Sequence, residues 1–219
     1  MKINVKYYFL FIVITNIAFA QNQYPTFITH NYIDLHNIEK ISRFRSAAGH
    51  DYTFGKGEKC SSMKHYFVPT IEQPNIYSPA EGTVIRIRDE WAGQQITIEP
   101  DNNPEYNIVI FHVVSLPDLL NKKVKSGEYL GHHIGTQTWS DIAIFYQDRV
   151  ISYFEVLNEN VIAEFLQHNI DPHNMIISRE QRNQFPLTPC IPGGDFGHLA
   201  KVKNTIPDFE FISSSVRSK

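Results

Sequence analysis

Two cysteines, Cys60 and Cys190, and ten histidines are the side chains of this sequence best suited to redox, metal or nucleophilic chemistry. Neither cysteine lies in a Cys-x-x-Cys pair, so their spacing disfavours a zinc knuckle and a thioredoxin-type redox site. No Gly-x-Ser-x-Gly is present, which disfavours a serine hydrolase built on a nucleophile elbow. The Gly-x-x-x-x-Gly-Lys-Ser/Thr pattern of a phosphate-binding loop is also missing. A triad of Ser46 or Ser62 with His65 and an aspartate is disfavoured because it would lack the nucleophile elbow.

The first twenty residues have the pattern of a secretory signal peptide. Lys2 and Lys6 supply a short positive region, and the run 7–14 is apolar or aromatic. The triplet Ala18-Phe19-Ala20 fits a small-x-small cleavage site, which predicts cleavage before Gln21. An uncleaved anchor is the alternative, but the apolar run is short for a span of roughly 20 residues. We therefore expect an exported protein, periplasmic or secreted, with no membrane span after the leader is removed.

Export bears directly on the two cysteines. An even number of cysteines in an exported chain favours a disulfide, here between Cys60 and Cys190. In the chain-entropy model, a bond closing so long a loop stabilises the fold by roughly 4–5 kcal/mol. A pair of free thiols is the alternative.

Composition and charge exclude two classes of protein. The 219 residues are 42% hydrophobic and 13% aromatic, which excludes a disordered chain and suits one domain, or one domain plus an extension. The 20 Lys and Arg residues are outnumbered by 23 Asp and Glu residues, giving a net charge of −3 without any basic run. We therefore expect no nucleic-acid partner.

The elements that must position any site are mostly strands. From residue 41 to about 155, short β-branched or aromatic runs alternate with Gly, Pro, Asn and Asp. The predicted strands are 83–88, 95–99, 106–114, 141–146 and 149–156. The turn 101–105 should join two of them in a hairpin. The domains that this pattern predicts are a leader 1–20, an N-terminal segment 21–40, a β domain 41–156 and a C-terminal extension 157–219.

The extension differs in character from the β domain. Val161, Ile162, Phe165 and Leu166 fall on one face of a predicted helix, with Asn158 as its N-cap. Further on, Ser178 with Gln181 and Pro186 marks a second, short helix. The remaining residues of the extension are predicted to form loops.

Four stretches of the β-rich part, in this order, resemble one family. They are 44–52 (FRSAAGHDY), 76–84 (IYSPAEGTV), 107–113 (NIVIFHV), and 124–144, which contains VKSGEYLG and SDIAI. Together they resemble the M23 peptidases, the LytM or lysostaphin-like zinc endopeptidases that cut peptidoglycan cross-bridges. The resemblance implies a mainly β fold, an antiparallel β-sandwich of the duplicated hybrid motif type, with a short α-containing C-terminal extension. Because non-peptidase proteins share this scaffold, the fold does not settle the activity.

The family's functional positions are only partly occupied. In the HxGxD motif, the carboxylate ligand position holds Asp51 and the histidine ligand position holds Ala47. In the HxH motif, the catalytic histidine position holds Asp141 and the last ligand position holds Ala143. The strand histidine, which helps to stabilise the transition state in active members, is matched by His112.

A catalytic zinc ion needs three protein ligands and an open position for water, and alanine cannot be a ligand. The resemblance therefore implies a degenerate member without catalytic residues, zinc or another cofactor, in which Asp51, His112 and Asp141 line the old cleft. A replacement zinc site built from these residues and His65 is the alternative. If Asp51 faces the cleft, His50 should point away from it, because neighbouring residues of a strand point to opposite faces.

Three functions are compatible with these observations. The first is an exported, catalytically inactive M23-like protein that binds a cell-wall peptide, a glycan or a protein partner in the former active-site cleft. The second is a divergent zinc metalloendopeptidase acting on cell-wall peptides. The third is an interaction protein whose cleft is filled by aromatic residues of its own tail, namely Phe185, Phe196, Phe209 and Phe211. The two alanines favour the first function over an enzyme.

Overall fold

The structure is a computed structural model that describes residues 24–54, 57–191 and 197–213. The predicted signal peptide, with its cleavage site before Gln21, lies outside the described residues, and so does Phe196. No helix in the described ranges has both the length and the apolar character that crossing a membrane requires.

The described residues form eleven strands, two α-helices and four short 3-10 helices. The strands are β1 Ile38–Ser42, β2 His65–Pro69, β3 Asn75–Tyr77, β4 Gly82–Asp89, β5 Gln94–Pro100, β6 Tyr106–Ser115, β7 Lys123–Val124, β8 Tyr129–His133, β9 Ser140–Tyr146, β10 Arg149–Ile151 and β11 Phe209–Phe211. The helices are α1 Glu159–Gln167 and α2 Arg179–Gln184. The 3-10 helices are Leu35–Asn37, Tyr153–Glu155, Pro172–Met175 and Leu199–Lys201.

The strands join in one hydrogen-bonded network in which every described strand pair is antiparallel. The main path runs β11-β1-β2-β9-β6-β5-β4-β7, with β10 paired to β9 and with β8 paired to both β3 and β6. The prediction of a mainly β, antiparallel fold is confirmed. Strands β2, β9 and β6 lie side by side in the middle of this path, so residues on their shared face can form a site.

One predicted strand is shorter than its sequence pattern suggests. Strand β10 ends at Ile151, whereas the apolar pattern continues to Val156. The hydroxyl of Ser152 accepts a hydrogen bond from the backbone of Phe154, and Glu155 caps the backbone of Ser152 in return. This capping box turns the chain into a 3-10 helix, because it satisfies backbone groups that a strand would leave to its neighbour.

The main core contains residues from outside the β-rich part of the sequence. Phe27, Ile28 and Tyr32 of the N-terminal segment and Val161 and Phe165 of helix α1 are buried among the strand residues. These segments therefore stabilise the sheet directly. The boundaries at 41 and 156 stay a prediction.

Helix α1 begins as predicted, with the side chain of Asn158 accepting a hydrogen bond from the backbone of Val161. Its buried face is narrower than predicted. Phe165 is fully buried, whereas Leu166 is 52% exposed. Each residue turns the helix by about 100°, so Leu166 points sideways out of the interface that Phe165 fills.

The C-terminal tail is attached to the β-rich part in two ways. Cys60 and Cys190 form the predicted disulfide, with their Cα atoms 5.6 Å apart. Strand β11 pairs with β1, placing Phe211 opposite Lys40.

Candidate functional site

A buried cluster of charged and aromatic side chains lies on one face of the three middle strands. Asp141 of β9 pairs in register with Phe111 of β6 on one side and with Tyr66 of β2 on the other. Lys64 directly precedes β2, and continuing the same register places it opposite Ala143. Because directly opposed residues of an antiparallel pair share a face, Lys64 stands beside a position that the M23 resemblance assigns to a zinc ligand.

Lys64 and Asp141 form a buried ion pair at the centre of this cluster. The ammonium Nζ lies 2.8 Å from Oδ2 of Asp141, and the two side chains are 2% and 0% exposed. The same ammonium lies over two aromatic rings, 3.8 Å from the centroid of Phe111 and 4.3 Å from that of Tyr52. Removing two charges from water is costly, and here the cost is offset by the carboxylate and by the negative faces of the rings.

His112 closes the other side of Asp141. Its Nδ1 donates a hydrogen bond to the carbonyl of Ala92 at 2.9 Å, since a carbonyl can only accept. Its Nε2 lies 3.3 Å from Oδ1 of Asp141, and a carboxylate oxygen of Glu90 lies 3.4 Å from Nδ1. His112 has a backbone φ of +61°, an uncommon conformation for a residue with a side chain. Strain of this kind is concentrated at functional sites.

The orientations of His50 and Asp51 are the reverse of the predicted ones. His50 faces the cluster, with its Nε2 3.4 Å from Nζ of Lys64, and burial lowers the pKa of its imidazole. The carboxylate of Asp51 is turned to the neighbouring loop, where it accepts hydrogen bonds from the backbone of Ser61 at 3.2 Å and from the hydroxyl of Thr53. Two adjacent residues do point to opposite sides, but the loop hydrogen bonds hold Asp51 on the side away from Asp141.

His65, the proposed replacement ligand, lies in a different part of the core. Its ring is 1% exposed and hydrogen-bonds through Nδ1 to the carbonyl of Ser42 and through Nε2 to the hydroxyl of Ser152, both at 2.8 Å. As the residue after Lys64 on an extended chain, it points to the opposite face. The alternative site of Asp51, His65, His112 and Asp141 is therefore not assembled.

The residues at the zinc-ligand positions of the M23 resemblance do not fit a zinc ion. Ala143 packs in an apolar cluster with Phe44 and Phe111. Ala47 packs in a separate cluster with Leu187. In the described ranges, no three His, Cys, Asp or Glu side chains are grouped so that they could hold a metal ion.

An open cavity of about 280 Å³ lies beside the buried cluster. Its lining includes His50, Tyr52, Lys64, Glu90, Trp91 and His112. Trp91 is 61% exposed, and its ring centroid lies 5.6 Å from that of His112. Aromatic walls with a few convergent polar groups are typical of ligand-binding pockets.

The aromatic residues of the tail do not fill this cavity. Phe209 packs edge-on against Trp139 with ring centroids 5.5 Å apart, while Phe185 and Phe211 are 46% and 64% exposed. The tail instead covers Ala47 with Leu187. The third function predicted from the sequence, a cleft plugged by these phenylalanines, is therefore wrong for those that the structure describes.

Sequence reasoning missed Lys64, Glu90 and Trp91, which line the cavity. A signal for Lys64 was present. It stands two residues before Tyr66 at the start of a buried strand, so strand alternation puts both side chains on one face. A lysine at such a position requires an anionic partner, and Asp141 on β9 is that partner.

Burial of His65 should make stability depend on pH. Desolvation lowers the pKa of its imidazole from 6.5 to about 4, partly opposed by the hydrogen bond to Ser42. The unfolded chain therefore binds a proton at a higher pH than the folded one. This stabilisation is complete above pH 6.5 and is lost as the pH falls toward 4, by about 3 kcal/mol in total. Urea unfolding of wild type and His65→Gln at pH 7.0 and at pH 4.5 measures the difference.

The variant should lose less stability than wild type between these pH values, because glutamine does not titrate. His36→Gln, at an exposed histidine, is the matched control and should behave as wild type. Equal losses in wild type and His65→Gln would contradict the assignment.

Comparison with known proteins finds similar folds among solved structures. No protein-family model matches the chain, and no curated protein matches it significantly. Among solved structures, the solution structure of lysostaphin is 15% identical, with a TM-score of 0.38, over 53% of this chain and 47% of that one. A putative M23 peptidase from Pseudomonas aeruginosa is 17% identical, with a TM-score of 0.37, over 52% and 54%. The SpoIIQ–SpoIIIAH pore-forming complex is 10% identical, with a TM-score of 0.46, over 61% and 93%.

The match therefore spans about half the length of lysostaphin and of the Pseudomonas protein. At these identities the similarities concern the fold and not its chemistry. In its sequence motifs and among solved structures, this chain resembles the M23 peptidases, with alanine at two of the positions where that family binds zinc.

Proposed function

We propose that this chain is an exported M23-like protein that does not hydrolyse its ligand but binds a cell-wall peptide or glycan, or a protein partner, in the cavity beside Lys64. One observation carries the proposal: the ammonium of Lys64 occupies the face on which the resemblance would place the metal ion. It is held there by Asp141, the residue at the catalytic histidine position.

The electrostatics of the cluster argue against a divalent cation. A buried ammonium repels a nearby cation strongly, because the interaction is poorly screened away from water. Asp141 already has this positive partner, and the carboxylate of Asp51 is engaged by the loop. Without a bound metal ion there is no activated water, which is the nucleophile of a zinc peptidase.

The cavity itself supports a binding role. Trp91 offers an exposed ring, and His50 and Glu90 offer polar atoms close to it. A ring of this size can bury a large apolar area against a sugar or a peptide while the polar groups fix its orientation. The disulfide between Cys60 and Cys190 and the leader pattern together support export to an oxidising compartment.

Trp91→Ala should weaken binding of peptidoglycan about tenfold, since a central aromatic contact typically contributes more than 1 kcal/mol. Binding is measured by co-sedimentation with purified sacculi and by titration with soluble muropeptides. Phe211→Ala is the matched control, because Phe211 is equally exposed but lies on β11 at the far end of the strand path. This control should bind as wild type.

Zinc content and muropeptide release, measured on the same preparation, test the non-hydrolytic part of the proposal. After incubation with zinc and gel filtration, we expect far less than one zinc per chain and no release of muropeptides. One zinc per chain together with digestion that is lost in His112→Ala would instead support the divergent metalloendopeptidase. If wild type binds neither sacculi nor muropeptides, the cell-wall ligand is excluded and a protein partner remains.

A further inference from the structure

The ion pair of Lys64 and Asp141 has the geometry of a pair that can react. We propose that Nζ of Lys64 and Cγ of Asp141 condense to an intramolecular isopeptide bond, with the loss of one water molecule. This covalent link would join the residue that precedes β2 to the middle strand β9. It goes beyond the proposed binding function, and the ion pair described above is the state of the two residues before the bond forms.

The two reacting groups are held together by neighbouring strands. Nζ lies 2.8 Å from Oδ2 of Asp141, so the carboxyl carbon is only one bond further away. The side chains are 2% and 0% exposed; Asp141 lies in β9 between β2 and β6, and Lys64 directly precedes β2. Positioning of this kind replaces a bimolecular encounter with an intramolecular one, which accelerates bond formation by many orders of magnitude.

The surroundings of the pair exclude water. The ammonium is enclosed by the rings of Phe111, Tyr52 and Tyr66, at 3.8, 4.3 and 5.7 Å from their centroids. Transfer of one proton from the ammonium to the carboxylate yields an amine and a carboxylic acid, the two reactants of amide formation. Burial among aromatic rings excludes the water that would drive the reverse reaction.

Two histidines flank the pair, one at each reacting group. Nδ1 of His50 donates to the carbonyl of Asp51 at 3.1 Å, which leaves Nε2 as the acceptor that faces Nζ of Lys64 at 3.4 Å. Nε2 of His112 lies 3.3 Å from Oδ1 of Asp141. Within the described ranges, Oδ1 has no hydrogen-bond partner although it is fully buried. It is the oxygen that we assign as the leaving group.

The reaction balances without an added reagent. The lone pair of the neutral Nζ forms a bond to Cγ, and the carbonyl electrons move to Oδ2. Oδ1 carries the proton of the carboxylic acid, and the nitrogen passes a second proton to Oδ1 so that this oxygen can leave as water. Nε2 of His50 is placed to accept a hydrogen bond from the nitrogen during this transfer. The electrons on Oδ2 then reform the carbonyl as the bond from Cγ to Oδ1 breaks and water leaves. Carbon and nitrogen keep their oxidation states, so the step requires no oxidant and no cofactor.

Intact-mass spectrometry of the full chain tests the proposal. The protein is purified after expression, reduced, alkylated and denatured, and its mass is compared with that of the sequence from its own N-terminus. We expect a deficit of one water. Proteolysis should then release a branched peptide that joins the segment with Lys64 to the segment with Asp141. A wild-type protein of full sequence mass, without the branched peptide, would overturn the proposal.

Lys64→Arg is the matched variant, because arginine keeps the positive charge but should not condense with the carboxylate. The variant should show the full sequence mass. Mass is measured on the denatured chain, so the comparison can be made whether or not the variant folds. A water deficit that persists in Lys64→Arg would point to a succinimide at Asp141 and would overturn the proposal. The mass measurement tests the bond alone. The proposed binding function is tested separately, by zinc content and by sedimentation with sacculi.

Discussion

Lys64→Met is expected to lower the free energy of unfolding by about 3–5 kcal/mol, since removing one partner leaves the carboxylate of Asp141 buried and uncompensated. Asp141 is 0% exposed, so water cannot replace the lost ammonium without opening the sheet. Methionine has nearly the length of lysine and fills much of the space between Phe111 and Tyr52. The loss therefore reflects charge more than cavity formation. Urea unfolding at pH 7, followed by tryptophan fluorescence, measures it.

Two further variants separate charge from packing. In Lys64→Met/Asp141→Leu both charges are absent, and relative to an uncondensed ion pair most of the lost stability should return, as it does when a buried ion pair is replaced by apolar residues. Relative to wild type that contains the amide bond, the double variant should stay less stable, because the covalent link is absent. Lys123→Met removes an ion pair with Asp101 in which the lysine is 74% exposed, and it should cost at most about 1 kcal/mol. If Lys64→Met costs no more than Lys123→Met, the ion pair is not important for stability.

Removal of the disulfide is expected to cost about 2–5 kcal/mol, because the bond restricts the unfolded chain over a separation of 130 residues. Cys60→Ser/Cys190→Ser compared with wild type in urea unfolding measures the cost. The native structure should lose little beyond the bond itself, because Leu187 and Leu199 keep their apolar contacts with Ala47.

Reduction provides the matched control for this variant. Wild type in the presence of a strong thiol reductant should unfold at the same urea concentration as the double variant, and the variant itself should not respond to the reductant. An unfolding midpoint that is identical in all four samples would show that the tail is held to the β-rich part by packing alone.

Much of the fold could be predicted from local patterns. The period of two in 95–99 and the turn at 101–105 predict a hairpin, and β5 and β6 form it. The predicted N-cap at Asn158 and the predicted start of α1 are also found in the structure. These predictions succeed because alternation, turns and caps depend on a few neighbouring residues. Strand β10 and the exposure of Leu166 were predicted less well, because a capping box and the width of a packing interface outweigh local apolar character.

The candidate site was also predicted only in part from the sequence. The motifs placed Asp51, His112 and Asp141 at functional positions, and the structure brings together only the last two. Asp51 turns away because its carboxylate has loop donors within reach, whereas His50 finds Lys64 instead. Which of two neighbouring residues faces a cleft depends on hydrogen bonds between distant segments. A pattern of types and spacings does not contain that information.

By itself, the sequence predicted the β-rich character, favoured a disulfide between Cys60 and Cys190, and placed alanine at two positions that the M23 resemblance assigns to zinc ligands. Each follows from residue identity or from local periodicity. Only the tertiary structure decided that Lys64 pairs with Asp141, with His50 beside the lysine and His112 beside the aspartate. That arrangement depends on the register of β2 and β9, which are separated by seventy residues of chain. Register is fixed by the packing of the whole sheet, so the site exists only once the fold has formed.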